Sequence, residues 1–228
     1  MAAVRRAAPA APLELGRMFD ARLRPLIDPP LDRAGRILAR AGATPDAVTL
    51  AGLALGLAAA AAVAAGCTLL ALIPLALSRI ADGLDGAVAR ATRSSDFGGY
   101  LDITSDFLVY GAIPAAFVWL DPAANGAAGA FLLLSFYVNG ASFLGFAILA
   151  EKRRMRTDAR GVKSLYFTGG LLEGAETIAF FAVLCLWPGA FAPLAWAFGA
   201  LCFVTAGARI LFARQVFPPR SDDKETTR

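Results

Sequence analysis

The chain has 228 residues, of which 57% are hydrophobic, and it carries a formal net charge of +4 without a single histidine. Its mean hydropathy of +0.59 is typical of membrane proteins rather than of soluble globular domains. Because histidine is absent, catalytic triads and metal centres that depend on an imidazole side chain are excluded.

Residues 31–40 predict a helix that lies in the membrane interface ahead of the first membrane span. Its apolar residues share one helical face and its arginines occupy the other, as in interfacial amphipathic helices. The apolar face consists of Leu31, Ala34, Ile37 and Leu38. Gly42 interrupts this helix, after which Thr44 is a predicted N-cap and Pro45 a predicted first residue of the next helix.

Six apolar stretches follow, each close to the roughly 20 residues that a membrane-spanning helix requires. They cover residues 47–66, 68–90, 100–120, 126–150, 165–187 and 190–213. The predicted fold class is therefore an all-α membrane protein with six transmembrane helices and an N-terminal amphipathic interfacial helix. The predicted organisation comprises an N-terminal cytoplasmic segment, a membrane domain and a disordered cytoplasmic tail, at 1–29, 30–215 and 216–228.

The basic residues predict how these helices are oriented. All 22 Lys and Arg fall on one side of the six-span arrangement, with eight before the first span, three around 79–93, six in 151–163 and five from Arg209 on. Since positively charged loops remain in the cytoplasm, both termini and the polar stretch 82–106 are expected on that side. The net positive charge would face anionic lipid head groups, and it requires no nucleic-acid partner.

Two pairs of aspartates stand out between residues 82 and 106. Asp82 and Asp85 share one helical face, and Asp102 and Asp106 share another, because their spacings are three and four residues. A short turn between the two apolar segments is expected to bring the pairs together. Carboxylate oxygens are the ligands that Mg²⁺ or Mn²⁺ prefers, and ionisable residues inside membrane segments usually mark a function.

This stretch resembles the signature of the CDP-alcohol phosphatidyltransferases, D-x2-D-G-x2-A-R-x8-G-x3-D-x3-D, at every fixed position. The fixed positions are Asp82, Asp85, Gly86, Ala89, Arg90, Gly99, Asp102 and Asp106. The resemblance covers about residues 30–215, and the stretch 163–181 is similar to a poorly characterised bacterial inner-membrane branch. It implies an inner-membrane enzyme of phospholipid biosynthesis, which transfers a phosphatidyl-type group from a CDP-lipid such as CDP-diacylglycerol to a small alcohol and releases CMP.

The resemblance also implies roles for individual residues. Asp82, Asp85 and Asp102 would hold Mg²⁺ or Mn²⁺ in a two-ion site, and Asp106 would contact the second ion and act as the base. Small or polar residues on the CDP-lipid side would be Gly86, Ala89, Arg90, Gly99 and Thr49. For these residues helix packing, capping and ordinary positive-inside placement remain alternatives. Family members commonly form homodimers, and a Gly52-x3-Gly56 pair would permit close helix contacts.

The acceptor alcohol is the least determined part of the prediction. The basic loop 151–163 favours a phosphorylated acceptor such as glycerol 3-phosphate, because a phosphate in a membrane cavity needs cationic partners. Two acidic residues of the fifth span favour instead an amino-alcohol or a hydroxyl-rich, inositol-type acceptor. The candidate acceptor residues are Lys163, Arg160, Arg209, Glu173 and Glu176.

Three other classes of protein fit the sequence less well than a CDP-alcohol phosphatidyltransferase. A transporter or divalent-ion channel would place its carboxylates along a path rather than at one mouth. A prenyltransferase also uses Mg²⁺ and pyrophosphate, but its Asp-rich motifs lie far apart in the chain. A degenerate family member kept as a membrane partner would not be expected to retain all four aspartates.

Overall fold

A computed structural model describes residues 15–153 and 174–218, with side chains from residue 28 onward. The regular secondary structure in these ranges is helical, which confirms the all-α prediction for them. The helices are α1 (Leu15–Arg40), α2 (Pro45–Ala64), α3 (Thr68–Ala91), α4 (Asp96–Leu120), α5 (Pro122–Lys152), α6 (Gly174–Leu186) and α7 (Phe191–Val216), with a 3₁₀ turn (Pro188–Ala190) before the last.

Four of these helices are long and apolar enough to cross a membrane, namely α2, α4, α5 and α7 with its preceding turn. They correspond to the first, third, fourth and sixth predicted spans. The second predicted span corresponds to α3, which has 24 residues but carries three charged side chains near its middle, Arg79, Asp82 and Asp85. The fifth corresponds in part to the 13 residues of α6, and its first part lies outside the described residues.

Polar side chains fix the start of the helices that carry the aspartates. Thr44 caps α2, where its Oγ1 accepts a hydrogen bond from the Ala47 N–H at 3.2 Å, and Pro45 is the first helical residue, as predicted. Ser95 caps α4, where its Oγ accepts from the Gly98 N–H at 2.9 Å. Because α4 begins within five residues of the end of α3, a short turn joins the two halves of the signature.

Small residues allow α2 to pack closely between α3 and α4. A methyl group on Gly52 would lie 3.1 Å from the Ala81 Cβ, and one on Gly56 would overlap the side chain of Val109. The Ser78 hydroxyl donates a hydrogen bond to the Gly52 carbonyl at 2.8 Å. This glycine pair therefore serves packing within the chain, rather than a surface that is open to a second copy.

Helix α1 packs across α3. A methyl group on Gly35 would lie 2.6 Å from the Ala87 Cβ, and a methyl group on Gly83 would lie 2.9 Å from the side chain of Leu31. Helix α1 begins at Leu15, so the predicted boundary between residues 29 and 30 falls inside it. The helix ends at Arg40, and the residue expected to interrupt it, Gly42, has a φ of 87°.

The apolar core occupies one end of the bundle, and the aspartates occupy the other. On α3 the core residues Ala71 and Leu75 precede the aspartates, and on α4 the core residues Ile113 and Phe117 follow them. Helix α5 packs between α4 and α7, and α6 packs on α3. The Phe117 ring stacks on Phe191 of α7 with centroids 5.1 Å apart. The helices that carry the aspartates are thus positioned by their packing at the apolar end of the bundle.

Candidate active site

Three of the four signature aspartates come together where α3 meets α4. Carboxylate oxygens of Asp82, Asp85 and Asp102 all lie within 4.8 Å of one another. Asp85 is buried, with 7% of its surface exposed, and the other two are partly buried. Three hard oxygen donors so close together are costly without a cation, and they match the donor set that Mg²⁺ and Mn²⁺ prefer. The residues present therefore fit a divalent ion.

The carboxylate of Asp106 pairs with the guanidinium of Arg79. Its Oδ1 accepts a hydrogen bond from Nη2 of Arg79 at 2.9 Å, and its Oδ2 lies 3.4 Å from the Tyr110 hydroxyl. Nη1 of Arg79 also lies 3.6 Å from Oδ2 of Asp82. Arg79 therefore bridges Asp82, one of the three clustered aspartates, and Asp106, the fourth aspartate of the signature.

Thr49 of α2 holds the most buried aspartate in place. Its hydroxyl lies 2.7 Å from Oδ2 of Asp85 and 3.1 Å from the Pro45 carbonyl, so its single proton can be donated to either. A hydrogen bond from a neutral hydroxyl stabilises the ionised form of a buried carboxylate and orients it. The predicted contact of Thr49 with the CDP-lipid stays a prediction.

These side chains line a single cleft among α2, α3 and α4. The lining residues are Thr49, Gly52, Leu53, Ser78, Arg79, Asp82, Asp85, Asp102, Ser105, Asp106 and Val109. One end of the cleft is polar and carries the carboxylates, and the other is closed by Leu53 and Val109. A substrate group in this cleft would therefore meet the four aspartates, Arg79 and the buried hydroxyls of Thr49, Ser78 and Ser105.

The remaining signature residues are not among those that line this cleft. A methyl group on Gly99 would meet nothing within 4 Å, and one on Gly86 would meet just the Arg90 side chain at 3.4 Å. These two positions leave open space rather than serving helix packing. Arg90 itself is exposed and pairs with Asp32 of α1, with Nη2 and Oδ1 2.7 Å apart. Ala89 is partly buried on the same helix.

Of the five candidate acceptor residues, two lie within the described ranges. Arg209 of α7 is buried, and its Nη1 lies 2.9 Å from Oδ1 of Asn139 and 2.6 Å from the Ser142 hydroxyl, both on α5. Glu176 is partly buried in the first turn of α6. Lys163, Arg160 and Glu173 lie outside the described residues.

Sequence reasoning missed the partners of the aspartates. Arg79 was counted as one of the basic residues around the signature, although its position one helical turn before Asp82 would have placed it on the same face. Tyr110 is likewise one turn after Asp106. The contact between Asp32 and Arg90 joins residues 58 positions apart, so no local pattern could have indicated it.

The comparisons with known proteins agree on one family. The profile of the CDP-alcohol phosphatidyltransferases matches residues 43–208. The inner membrane protein YnjF of Escherichia coli (strain K12) is 46% identical over 193 residues, which cover 85% of this chain and 94% of that protein. The archaetidylinositol phosphate synthase of Pyrococcus horikoshii is 43% identical over 88 residues, which cover 38% of this chain and 47% of that protein.

Solved structures with the same fold come from Mycobacterium tuberculosis. Phosphatidylinositol phosphate synthase (PgsA1) with CDP-DAG bound has a TM-score of 0.64 and 24% identity, covering 81% of this chain and 93% of that one. The same synthase in complex with manganese and citrate has a TM-score of 0.62 and 24% identity, covering 79% and 87%. At this identity the likeness establishes the shared fold.

Proposed function

Since the chain belongs to the CDP-alcohol phosphatidyltransferase family, we propose that it transfers a phosphatidyl-type group from CDP-diacylglycerol to a small phosphorylated alcohol and releases CMP. The observation that carries this proposal is the cluster of Asp82, Asp85 and Asp102 within 4.8 Å, formed by the two halves of the family signature. A pyrophosphate-cleaving enzyme needs concentrated positive charge at its substrate, and this cluster can hold it.

In the proposed reaction, Asp82, Asp85 and Asp102 would hold Mg²⁺ or Mn²⁺, and the ion would supply positive charge for cleavage of the pyrophosphate. The acceptor hydroxyl attacks the phosphorus that carries the lipid, and the bond from that phosphorus to CMP breaks. Asp106 takes the hydroxyl proton, as a positioned carboxylate can in a chain without histidine. From the sequence, Asp106 is also expected to contact a second ion, and in the structure Arg79 lies at this carboxylate.

The open space at two signature glycines supports a place for the nucleotide. Without side chains at Gly86 and Gly99, a pyrophosphate or ribose can approach the backbone of α3 and the start of α4. Ala89 keeps the neighbouring helical turn small for the same reason. Arg90 is assigned to bracing α1 against α3 through Asp32, and Thr49 is assigned to orienting Asp85.

The acceptor is proposed to be phosphorylated, with glycerol 3-phosphate as the acceptor that the basic loop 151–163 favours. Lys163, Arg160 and Arg209 are its proposed cationic partners, with Glu173 and Glu176 placed near its hydroxyl groups. A second candidate is inositol 1-phosphate, which is favoured by the names of two relatives that make inositol phosphate lipids.

The proposed membrane arrangement has six spans, with α3 and the fifth predicted span completing the four apolar helices. Both termini and the cleft face the cytoplasm, as the distribution of all 22 basic residues indicates. Helix α1 lies along the cytoplasmic interface, with Ile37 67% exposed and available to lipid. A homodimer remains part of the proposal, formed by surfaces other than the buried Gly52–Gly56 pair.

The test is release of CMP from CDP-diacylglycerol by the purified protein, with Mg²⁺ or Mn²⁺, against a panel of acceptors. The panel contains glycerol 3-phosphate, inositol 1-phosphate, serine, choline, ethanolamine and phosphatidylglycerol. We expect release with a phosphorylated alcohol and none after Asp85→Asn. The matched control is Asp121→Asn, an exposed aspartate that caps α5, where asparagine preserves the cap. Release with serine, choline or ethanolamine alone would contradict the phosphorylated acceptor, and no release with any acceptor would contradict the enzyme.

A further inference from the structure

The hydroxyl of Ser105 is a buried donor without an acceptor in the part of the chain that the structure describes. Ser105 is 7% exposed, and its Oγ is shielded from solvent and has no hydrogen-bond partner there. The neighbouring Thr104 shows the usual solution for a hydroxyl inside a helix, since its Oγ1 donates to the Tyr100 carbonyl at 2.8 Å. A buried hydroxyl that makes no hydrogen bond destabilises the protein by the cost of its lost hydration, so its presence calls for an explanation.

Ser105 differs in position from Thr205, whose buried hydroxyl also has no partner among the described residues. Ser105 lines the cleft that carries the aspartates, whereas Thr205 lies on α7 and is not among the residues that line it. The other two buried hydroxyls of the cleft have acceptors within the protein. Ser78 donates to a backbone carbonyl of α2 at 2.8 Å, and Thr49 lies 2.7 Å from Oδ2 of Asp85. Ser105 therefore keeps its donor available to a group that enters the cleft.

The place of Ser105 along α4 indicates which part of a substrate it would meet. It lies six residues beyond Gly99, which is about 9 Å further along the helix at 1.5 Å per residue. Gly99 provides open space for the nucleotide, while Leu53 and Val109 line the other end of the cleft. A CDP-lipid carries its nucleoside and its lipid at opposite ends of a pyrophosphate. With the nucleotide near Gly99, the phosphate that carries the lipid is the one that comes closer to Ser105.

We propose that the Ser105 hydroxyl donates a hydrogen bond to an oxygen of the phosphate that carries the lipid in CDP-diacylglycerol. The inference rests on the proposed function, in which Asp102 is a metal ligand and Asp106 is the base. Ser105 directly precedes Asp106 in the chain, so this contact holds the reacting phosphate on the helical turn that carries the base. A hydrogen bond to an ionised phosphate is stronger than one between neutral groups, and a neutral hydroxyl supplies it without adding a charge that would repel a bound ion.

The experiment compares the binding of CDP-diacylglycerol and of CMP to Ser105→Ala, by titration of the purified protein in detergent micelles with Mn²⁺ and without an acceptor. We expect CDP-diacylglycerol to bind about 10-fold to 100-fold more weakly than to the wild type, the range for a lost hydrogen bond to a charged group. CMP, which lacks the phosphate that carries the lipid, should bind almost equally to both proteins. Thr205→Val, which removes the buried hydroxyl outside the cleft, is the matched control and should bind both ligands like the wild type.

Melting temperatures without ligand provide a second measurement. Ser105→Ala should melt no lower than the wild type, because it removes a buried hydroxyl that has no acceptor. Ser78→Ala should melt lower, because it loses the hydrogen bond to the Gly52 carbonyl. A Ser105→Ala chain that melts as low as Ser78→Ala would overturn the proposal, since the Ser105 hydroxyl would then have a partner within the protein.

Unchanged affinity of Ser105→Ala for CDP-diacylglycerol would also overturn the proposal, because water in the cleft would then satisfy the hydroxyl. Equal weakening of CMP and CDP-diacylglycerol would overturn it as well, because the contact would then lie on the nucleotide. CMP release by the wild type with the acceptor panel separates this inference from the proposed function. A chain that shows the selective loss of affinity but releases no CMP contradicts the enzyme, while one that releases CMP without that loss contradicts the role of Ser105.

Discussion

Asp85 is the signature aspartate with the least access to solvent, and its surroundings show how a buried carboxylate is kept in a ligand geometry. Thr49 lies 2.7 Å away on a different helix, so the carboxylate cannot rotate without losing that bond. The Thr49 hydroxyl is also within reach of the Pro45 carbonyl, which fixes its rotamer. A side chain on a neighbouring helix thereby fixes the orientation of the Asp85 carboxylate.

Replacing Thr49 with Val removes the hydroxyl but keeps the shape of the side chain. We expect the affinity for Mn²⁺ to fall by about 10-fold to 100-fold, the range for lost partners of metal ligands. The affinity is measured by titration of the purified protein. Thr49→Ser, which retains the hydroxyl, is the control and should bind nearly as tightly as the wild type. Unchanged affinity in Thr49→Val would show that the hydrogen bond from Thr49 to Asp85 does not contribute to Mn²⁺ binding.

Replacing Asp106 with Asn keeps the side chain the same size but removes the proposed base. We expect turnover to fall by at least about 100-fold, the usual contribution of a positioned base, while CDP-diacylglycerol still binds. Turnover is measured as CMP release at saturating acceptor, and binding is measured separately by titration with the CDP-lipid. Turnover close to that of the wild type would remove Asp106 from the role of base.

At the scale of helices, the α1–α3 contact packs α1 against the signature segment of α3. Gly35 meets Ala87 and Leu31 meets Gly83, and Asp32 pairs with Arg90 on the outside of the same contact. Two of the α3 residues involved, Arg90 and Gly83, lie within the signature segment. Helix α1 is therefore held against the signature segment of α3, although none of its described side chains lines the cleft.

Replacing glycine with alanine should change the melting temperature in opposite directions at Gly35, which lies in this contact, and at Gly145, which does not. Gly35→Ala should lower the melting temperature, because its methyl group would lie 2.6 and 2.8 Å from the Cβ and carbonyl carbon of Ala87, and overpacking costs about 1–3 kcal/mol. Gly145→Ala in α5, which would meet nothing within 4 Å, should raise it slightly, since alanine favours helix by about 0.5–1 kcal/mol. Thermal unfolding of the purified proteins gives both values. A rise in both would show that α1 can move away.

Sequence reasoning succeeded where information was local and failed where it was not. Apolar stretches located the four long apolar helices, and Thr44 and Pro45 marked the start of α2, because spans and caps depend on neighbouring residues. The grouping of Asp82 and Asp85 with Asp102 followed from helical spacing and a short turn. The pairing of Arg79 with Asp106 depends instead on how α3 and α4 are each placed against α2. The start of α1 at Leu15 was missed because Pro25, Pro29 and Pro30 argue against one helix over this stretch.

At the scale of the whole molecule, charge predicts orientation. A reporter fused to the C-terminus should be cytoplasmic, because all 22 Lys and Arg fall on one side of the six-span arrangement. A green fluorescent protein fusion should be bright in cells, and an alkaline phosphatase fusion should be inactive. The opposite pair of results would refute the number of spans and place the cleft on the wrong side of the membrane for a cytoplasmic CDP-lipid head group.

The charges in the middle of α3 also bear on how the chain enters the bilayer. Scales from insertion experiments assign roughly 2.5–3.5 kcal/mol to each charged side chain near the centre of a helix, and Arg79, Asp82 and Asp85 lie within seven residues. Such a helix does not partition by its own hydropathy, but α2 offers Thr49 to Asp85 and α4 offers Asp106 to Arg79. In the proposed six-span arrangement, α3 would therefore enter the bilayer together with α2 and α4, which supply the polar partners of its charges. Insertion of this helix and assembly of the carboxylate cluster would then be the same event.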